Sequence, residues 1–326
     1  MARWQYTKGL HELGNGHYAW LLPDGSWGWS NAGLIEDGGE TLLVDTLFDL
    51  AYTREMLAAM RRAVPAAKDI GALVNTHANA DHFFGNQLLE GARIIASKAC
   101  AEDMYLRPPA QYAGWQRDWP TMGIAGKFWQ EVIGSRFDFS GIRLVPPTET
   151  FTGELALEVG DKEVRLIEVG PAHTRGDILV YVPKDKVLYT GDMLFNGAHP
   201  AIWAGPTANW IKACDLMLSW DLDVVVPGHG ALTDKSCIRE FRDYLTYVRT
   251  ESRRCYDAGM GFVEAAAAIP LDPWAHFAED ERMVINVYAC YREFGARDAE
   301  EKPDILRMLE LMGRRHFGKH GRPAAQ

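Results

Sequence analysis

Thr76-His77-Ala78-Asn79-Ala80-Asp81-His82 stands just after the apolar run Ile70-Gly71-Ala72-Leu73-Val74. Two histidines, a carboxylate and an amide fall within one short stretch. Imidazole nitrogen and carboxylate oxygen are the usual ligands of zinc and related divalent metals. A strand that ends in such a cluster sets its ligands at the edge of a sheet, where a metal site can open to substrate.

Three later segments repeat the device in order. They are Val169-Gly170-Pro171-Ala172-His173-Thr174-Arg175-Gly176-Asp177, then Val187-Leu188-Tyr189-Thr190-Gly191-Asp192, then Val224-Val225-Val226-Pro227-Gly228-His229-Gly230. Each puts a His or Asp just after an apolar, β-branched run, beside glycine or proline. A ligand on a tight turn after a strand is held rigidly, and small neighbours let metal and substrate approach the backbone.

This order of motifs resembles the metallo-β-lactamase superfamily. Its pattern is His-x-His-x-Asp-His, then a lone His, then Gly-Asp, then Gly-His. The resemblance runs from about Gly33 to about Asp234. It implies an α/β fold, an αββα sandwich with the metals at one edge between two sheets. Carried over residue by residue, it implies a first metal site of His77, Asn79 and His173. It implies a second of Asp81, His82 and His229, with Asp192 bridging the two.

Asn79 departs from the pattern, which has a second histidine there. A neutral amide oxygen is a weaker zinc ligand than imidazole. The expectation is one well-held zinc at the second site, or one tight and one loose. Iron is the alternative metal. The Asn-containing motif and the general layout also look somewhat like those of hydrolytic aryl dehalogenases such as chlorothalonil dehalogenase.

Composition bounds the rest. The chain has 326 residues, 47% hydrophobic and 24% charged, which is ordinary for a globular protein. A net charge of -10 argues against nucleic acid as a partner, since phosphate binding needs clustered Lys and Arg. No apolar run approaches the roughly 20 residues needed to cross a bilayer. Met1 to Tyr6 lacks the apolar core of a signal peptide, so a cytoplasmic protein is expected. The cysteines Cys100, Cys214, Cys237, Cys255 and Cys290 are dispersed and read as reduced thiols, mostly buried. The motifs span the middle of the chain. A catalytic domain over 1–240 is therefore expected, followed by a helical extension over 241–326.

Alternation predicts strands over Ala32–Ile35 and Thr41–Val44, Ile70–Asn75, and Arg93–Ala96. It predicts further strands around Leu155–Ile167, Ile178–Val182, Lys186–Tyr189 and Leu222–Val226. Helices are expected over Leu50–Val64, from Phe83 to Leu89, over Thr207–Trp220, from Thr233 to about Ala268, and over Pro273–Arg315, with a loose basic tail from Arg314 to Gln326. The stretch of about 100–147 breaks the pattern. It is an aromatic-rich insertion with Tyr112, Trp115, Trp119, Phe128, Trp129, Phe137 and Phe139. It reads as a lid over a substrate pocket, as a homodimer contact, or as a packed mini-core.

Several residues outside the ligand set invite roles. Asp45 ends a strand and can orient a ligand histidine through its other N–H. His199 can donate to substrate or to a developing oxyanion, or be a loop histidine bonded to backbone. Phe195 and Trp203 are candidate pocket walls. Thr174 and Asp177 shape the His173 turn. His11, His17, His276, His316 and His320 have no metal-like context. No Gly-x-x-x-x-Gly-Lys loop and no Gly-x-Ser-x-Gly elbow occurs.

These features define an expectation of a metal-dependent hydrolase. The metal lowers the pKa of a water to about 7, and Asp81 holds the metal and helps orient or deprotonate that water. The substrate is a small, hydrophobic, ring-containing molecule: a lactone, lactam, ester, thioester or aryl halide. Two alternatives stand beside this, an iron-dependent oxidoreductase of the same fold and a non-catalytic member with a decayed site.

Overall fold

The computed structural model describes residues 4–296 and 304–319. Among these residues two sheets face each other. The first runs in spatial order β1 (Gly9–Gly14), β2 (His17–Leu21), β3 (Ala32–Asp37), β4 (Glu40–Val44), β5 (Ala72–Val74), β6 (Arg93–Ser97) and β7 (Glu149–Phe151). Pairing is antiparallel from β1 to β4 and parallel from β4 to β7. The second sheet comprises β8 (Glu154–Val159), β9 (Lys162–Glu168), β10 (Ile178–Val182), β11 (Val187–Phe195) and β12 (Val224–His229), in spatial order from β12 back to β8. Only its β11–β12 pair is parallel.

The central strands are buried on both faces because both faces are covered, while an edge strand such as β8 alternates. Successive side chains on a strand point to opposite sides. Thus Ile35, Val44, Val74 and Ile95 meet Val164, Val180, Val187 and Tyr189 between the sheets. Their neighbours Leu34, Leu43, Leu73 and Ile94 face outward onto Met56, Leu57 and Met60. Those three lie on one stripe of α1 (Leu50–Ala63), which starts where the Asp49 carboxylate accepts from the Tyr52 N–H at 2.8 Å. Pro65 follows its end.

On the other side, Leu179, Tyr181 and Leu188 face an outer layer of helices. After β6 come α2 (Lys98–Asp103), α3 (Pro109–Asp118) and α4 (Gly123–Trp129) of the insertion. The later helices are α5 (Thr207–Ser219), α6 (Lys235–Asp257), α7 (Phe262–Ala268), α8 (Met283–Glu293) and α9 (Ile305–Lys319). The whole is the expected αββα sandwich with an aromatic insertion and C-terminal helices.

Some details differ from expectation. The strands β1 and β2 were not anticipated. Phe84–Leu89 is a 3-10 helix rather than the start of an α-helix. The expected helix beyond Thr233 breaks after Asp257, where Gly259 takes a left-handed conformation (φ 75°). Residue 241 falls inside α6, whose buried Phe241, Tyr244, Leu245 and Val248 share one apolar core with α5, α8 and α9. Arg314 and Arg315 continue α9 rather than beginning a tail, and residues 320–326, with His320, lie outside the described residues. All five cysteines are buried and unpaired.

Candidate metal centre

Each ligand-type residue is set by an element end. His77, Asn79, Asp81 and His82 follow β5, with a 3-10 turn over Ala80–His82. His173 sits between β9 and β10, in a turn where the Asp177 carboxylate accepts from the Thr174 N–H at 3.0 Å and from its hydroxyl at 2.6 Å. Burial pushes the Asp177 carboxyl up to about 7. His229 ends β12. Asp192 lies inside β11, where the register with β12 shifts on either side of Gly191. Such an irregularity re-aims a side chain out of the regular pleat.

The chain packs too tightly here for larger residues. A Cβ on Gly228 would lie 2.1 Å from Asp192 Oδ1, and one on Gly191 would lie 2.3 Å from Thr76 Oγ1. Two loops therefore press directly onto the carboxylate and the first motif.

In all four histidines Nδ1 is engaged, which leaves Nε2 for the centre. His82 Nδ1 lies 3.0 Å from Asp45 Oδ2. The Thr76 hydroxyl donates to the same Asp45 oxygen at 2.7 Å and stands 2.9 Å from His77 Nδ1, from which it accepts. His173 Nδ1 donates to the Ala201 carbonyl at 2.6 Å, and His229 Nδ1 to the Gly25 carbonyl at 3.0 Å. A carbonyl can only accept, so Nδ1 of these rings carries a proton and Nε2 is the atom turned to the centre.

The free atoms converge. His82 Nε2 is 3.1 Å from Asp192 Oδ1 and 3.9 Å from Asp81 Oδ2. His229 Nε2 is 3.3 Å from Asp81 Oδ2 and 3.4 Å from Asp192 Oδ1. Ligand atoms at zinc's usual bond lengths stand roughly 3.3 Å apart around a tetrahedral ion. These four residues have that span.

Two of the other three face the second oxygen of Asp192. His77 Nε2 is 3.7 Å and His173 Nε2 3.2 Å from Asp192 Oδ2. The Asn79 amide nitrogen is 2.9 Å from His173 Nε2. With the His173 proton on Nδ1, that contact is an amide N–H donated to the atom that would otherwise bind metal.

The residues fit a divalent ion on a further ground. Nε2 of His77, Nε2 of His82 and Oδ1 of Asp192 are buried and have no hydrogen-bond partner. Buried polar atoms are normally paired; an ion held by Asp81, His82, Asp192 and His229 would satisfy two of them, and His77 belongs to a second group, with His82 and Asp192, that could also hold a metal. The charges agree. Burial opposes ionisation of Asp192, yet His229, His82, His77 and His173 around it hold its carboxyl far below the usual range. Burial would lower His82, but Asp192 and Asp81 outweigh it and raise it well above its ordinary value. His229 is raised to about 9 against burial by Asp192 and Asp81. Burial drives His77 well down and His173 to about 4. Metal entry must therefore displace protons from His82 and His229.

A narrow cavity, about 70 Å³ where a water can enter, opens onto these groups. Asn79, Asp81, His173, Asp192 and His229 form its floor. Phe195 and Trp203 wall it, as the sequence suggested, with Phe195 stacked on His229 at 5.2 Å. The insertion contributes Arg107, Tyr112, Trp115, Trp129 and Ile133, and α9 contributes Ile305 and Leu309. Trp27, Gly28, Phe48 and Arg282 complete it. Sequence reasoning missed Trp27, Arg107, Arg282, Ile305 and Leu309 as wall residues. No local pattern marks them, because they meet only through folding.

His199 is corrected. It does not line this cavity. It is fully buried, with Nδ1 2.8 Å from the Tyr244 hydroxyl, its N–H donated to the Ala278 carbonyl and its own carbonyl accepting from Arg282. Its Nε2 is buried with no hydrogen-bond partner, and none of these contacts reaches the metal centre. Asp45 does what its position suggested. His17 is buried against Tyr189 and Asp185, His316 pairs with Glu131 and Glu281, His11 is half-buried and His276 is exposed.

Comparison with known proteins places this geometry. The model of the metallo-beta-lactamase superfamily matches residues 25–229. The chain belongs to that superfamily. It is 26% identical over 217 residues to the 2,4-dinitroanisole O-demethylase subunit alpha of Nocardioides sp. (strain JS1661), covering 64% of this chain and 54% of that one. It is 23% identical over 228 residues to the acyl-coenzyme A thioesterase MBLAC2 of Homo sapiens, covering 68% of this chain and 75% of that one. Among solved structures, the stereoselective inverting sec-alkylsulfatase Pisa1 from Pseudomonas sp. superposes with a TM-score of 0.67 at 19% identity. That match covers 91% of this chain and 52% of the sulfatase. The chain thus spans about half the length of the demethylase subunit and of the sulfatase. Among the described residues no helix is long and apolar enough to cross a membrane.

Proposed function

We propose that this chain is a metal-dependent hydrolase that acts on a hydrophobic, ring-containing small molecule. The observation that carries the reading is the convergence of Asp81, His82, Asp192 and His229 at tetrahedral spacing on the floor of an aromatic cavity. We assign one zinc to these four residues, with a further position open to a water on the cavity side. A divalent ion held there supplies Lewis acidity, which lowers the pKa of a water to near neutrality and offsets developing negative charge.

The chain's own residues do the rest. Asp45 holds His82 directly and His77 through Thr76, so both rings keep one orientation. Asp81, on the cavity floor, is the group placed to accept a proton from the attacking water. Trp27, Trp129, Phe195 and Trp203 pack the substrate ring and exclude bulk water. The names of the relatives support a scissile bond at a carbon–oxygen or thioester linkage: one is an aryl O-demethylase, one a thioesterase, one a sulfatase.

Asn79 keeps the first metal position weak, since its amide occupies His173 Nε2. Elemental analysis of the purified protein tests the whole reading. About one zinc per chain is expected, with hydrolysis of aryl esters, thioesters or activated aryl ethers lost in Asp81→Ala. Asn79→His is expected to raise the content to about two. Iron accompanied by oxygen uptake would replace the hydrolase with an oxidoreductase. Absence of bound metal would leave a decayed site.

A further inference from the structure

Arg107 stands out among the groups that the proposed hydrolysis does not use. It lies in the insertion between α2 and α3, half-buried, on the cavity wall. Its guanidinium carbon is 5.1 Å from the centroid of the Trp203 ring. The guanidinium lies over the indole face and hydrogen-bonds the Tyr112 hydroxyl, which leaves its remaining N–H donors to a ligand.

No carboxylate takes those donors. The acids nearest in sequence, Glu102 and Asp103, both pair with Arg175, at 3.0 and 2.7 Å. The other arginine of the cavity is committed elsewhere. Arg282 pairs with Glu279 at 2.8 Å and lies over the Trp27 ring at 4.1 Å. Arg107 therefore carries the one cavity charge, among the described residues, that has no ion-pair partner.

Its position relative to the metal centre is also defined. The Tyr112 phenol is raised by burial, lowered by Arg107 and raised again by Asp81. Tyr112 lines the same cavity as both the arginine and the carboxylate of the floor. A molecule that lies along Tyr112 meets Arg107 with one part and the metal centre with another.

We propose that Arg107 is the specificity-determining residue of this cavity, and that the substrate carries an anionic substituent, a carboxylate, sulfonate or sulfate, which Arg107 grips through paired N–H donors. The ring of the substrate lies between the aromatic walls, and the scissile bond sits over Asp81. The inference deepens the hydrolase reading and rests on it for the place of the scissile bond. The binding of an anionic aromatic does not depend on turnover.

Isothermal titration of the metal-containing protein with naphthalene-2-sulfonate and with its neutral analogue methyl 2-naphthyl sulfone tests the proposal. The wild type is expected to prefer the sulfonate by about tenfold, the scale of one charge-assisted contact. Arg107→Gln is expected to bring the two ligands to parity with the sulfone affinity and thermal midpoint unchanged. Arg107→Lys should keep part of the preference, since the charge remains and the fork is lost.

Equal affinities in the wild type, no detectable sulfonate binding, or a preference that survives Arg107→Gln would overturn it. A preference that vanishes on chelation but not in Arg107→Gln would mean that the metal holds the anion. Loss of every hydrolytic activity with the sulfonate preference intact would remove the hydrolase and leave Arg107 as an anion-binding residue.

Discussion

Asp45 receives the Thr76 N–H, the Thr76 hydroxyl and the His82 ring on one buried carboxylate. Its backbone is left-handed (φ 63°), a conformation that Asp and Asn tolerate better than other non-glycine residues. Asp45→Ala would free both His77 and His82 to turn. A competition titration against a chelator should show metal affinity weaker by about 10- to 100-fold, and unchanged affinity would refute the orienting role. His199 gives a prediction of a different kind. Burial lowers its pKa from 6.5 to about 3. Between these values the unfolded chain binds a proton that the native chain does not, so this contribution to stability is full above 6.5 and lost as pH falls. The slope is about 1.4 kcal/mol per pH unit. Urea denaturation of His199→Asn from pH 7 to pH 4 should show a shallower pH dependence than the wild type. Equal slopes would place the titration elsewhere. Asn79 shows how far a single residue can be read. Its departure from the histidine pattern is visible in the sequence, but its hydrogen bond onto His173 is not, because the two residues meet only across the β9–β10 turn.

At the scale of elements, the ligand turns were legible because each is a short apolar run followed by a His or Asp and a small residue. The strands β3 to β6 and β10 to β12 were visible for a related reason: their runs are β-branched and continuous, as strands covered on both faces must be. The strands β8 and β9 showed by alternation. The strands β1 and β2 escaped because Gly9–Gly14 alternates weakly and carries His11 and Glu12 toward solvent. The kink in β11 escaped as well. It depends on how closely β12 and the Thr76 loop approach Gly191, which the spacing of apolar residues does not encode. Gly228 tests that packing. In Gly228→Ala the new Cβ would meet Asp192 Oδ1 and the Gly191 backbone, neither of which can move without shifting the floor of the cavity. Metal content is expected to fall to a small fraction of the wild-type value while the circular dichroism spectrum persists. Full metal occupancy in this variant would show that the Asp192 position is less constrained than the packing indicates.

Over the whole molecule, the far end of the chain closes the site. Helix α9 packs on α4 of the insertion, with Gly313 against Ile124 and Phe128, and this brings Ile305 and Leu309 onto the cavity. A Cβ at Gly313 would lie 2.9 Å from both Ile124 Cγ2 and Phe128 Cβ. Gly313→Val should therefore cost about 1 to 3 kcal/mol of stability, as overpacking does, and weaken binding of a naphthyl sulfone, with metal content unchanged. Normal ligand affinity at lowered stability would mean that the α9 wall does not touch the bound ring. By itself, the sequence determined the superfamily and the sandwich, and it marked the residues that converge on the candidate metal centre. Those depend on strand periodicity and on donor atoms beside tight turns, and both are local. Only the tertiary structure decided that the insertion walls the cavity, that His199 lies away from it, and that Arg107 shares it with the metal centre. These depend on side chains brought together from the insertion, the β11–α5 connection and the C-terminal helices, and packing of that range leaves no mark in any one stretch of sequence.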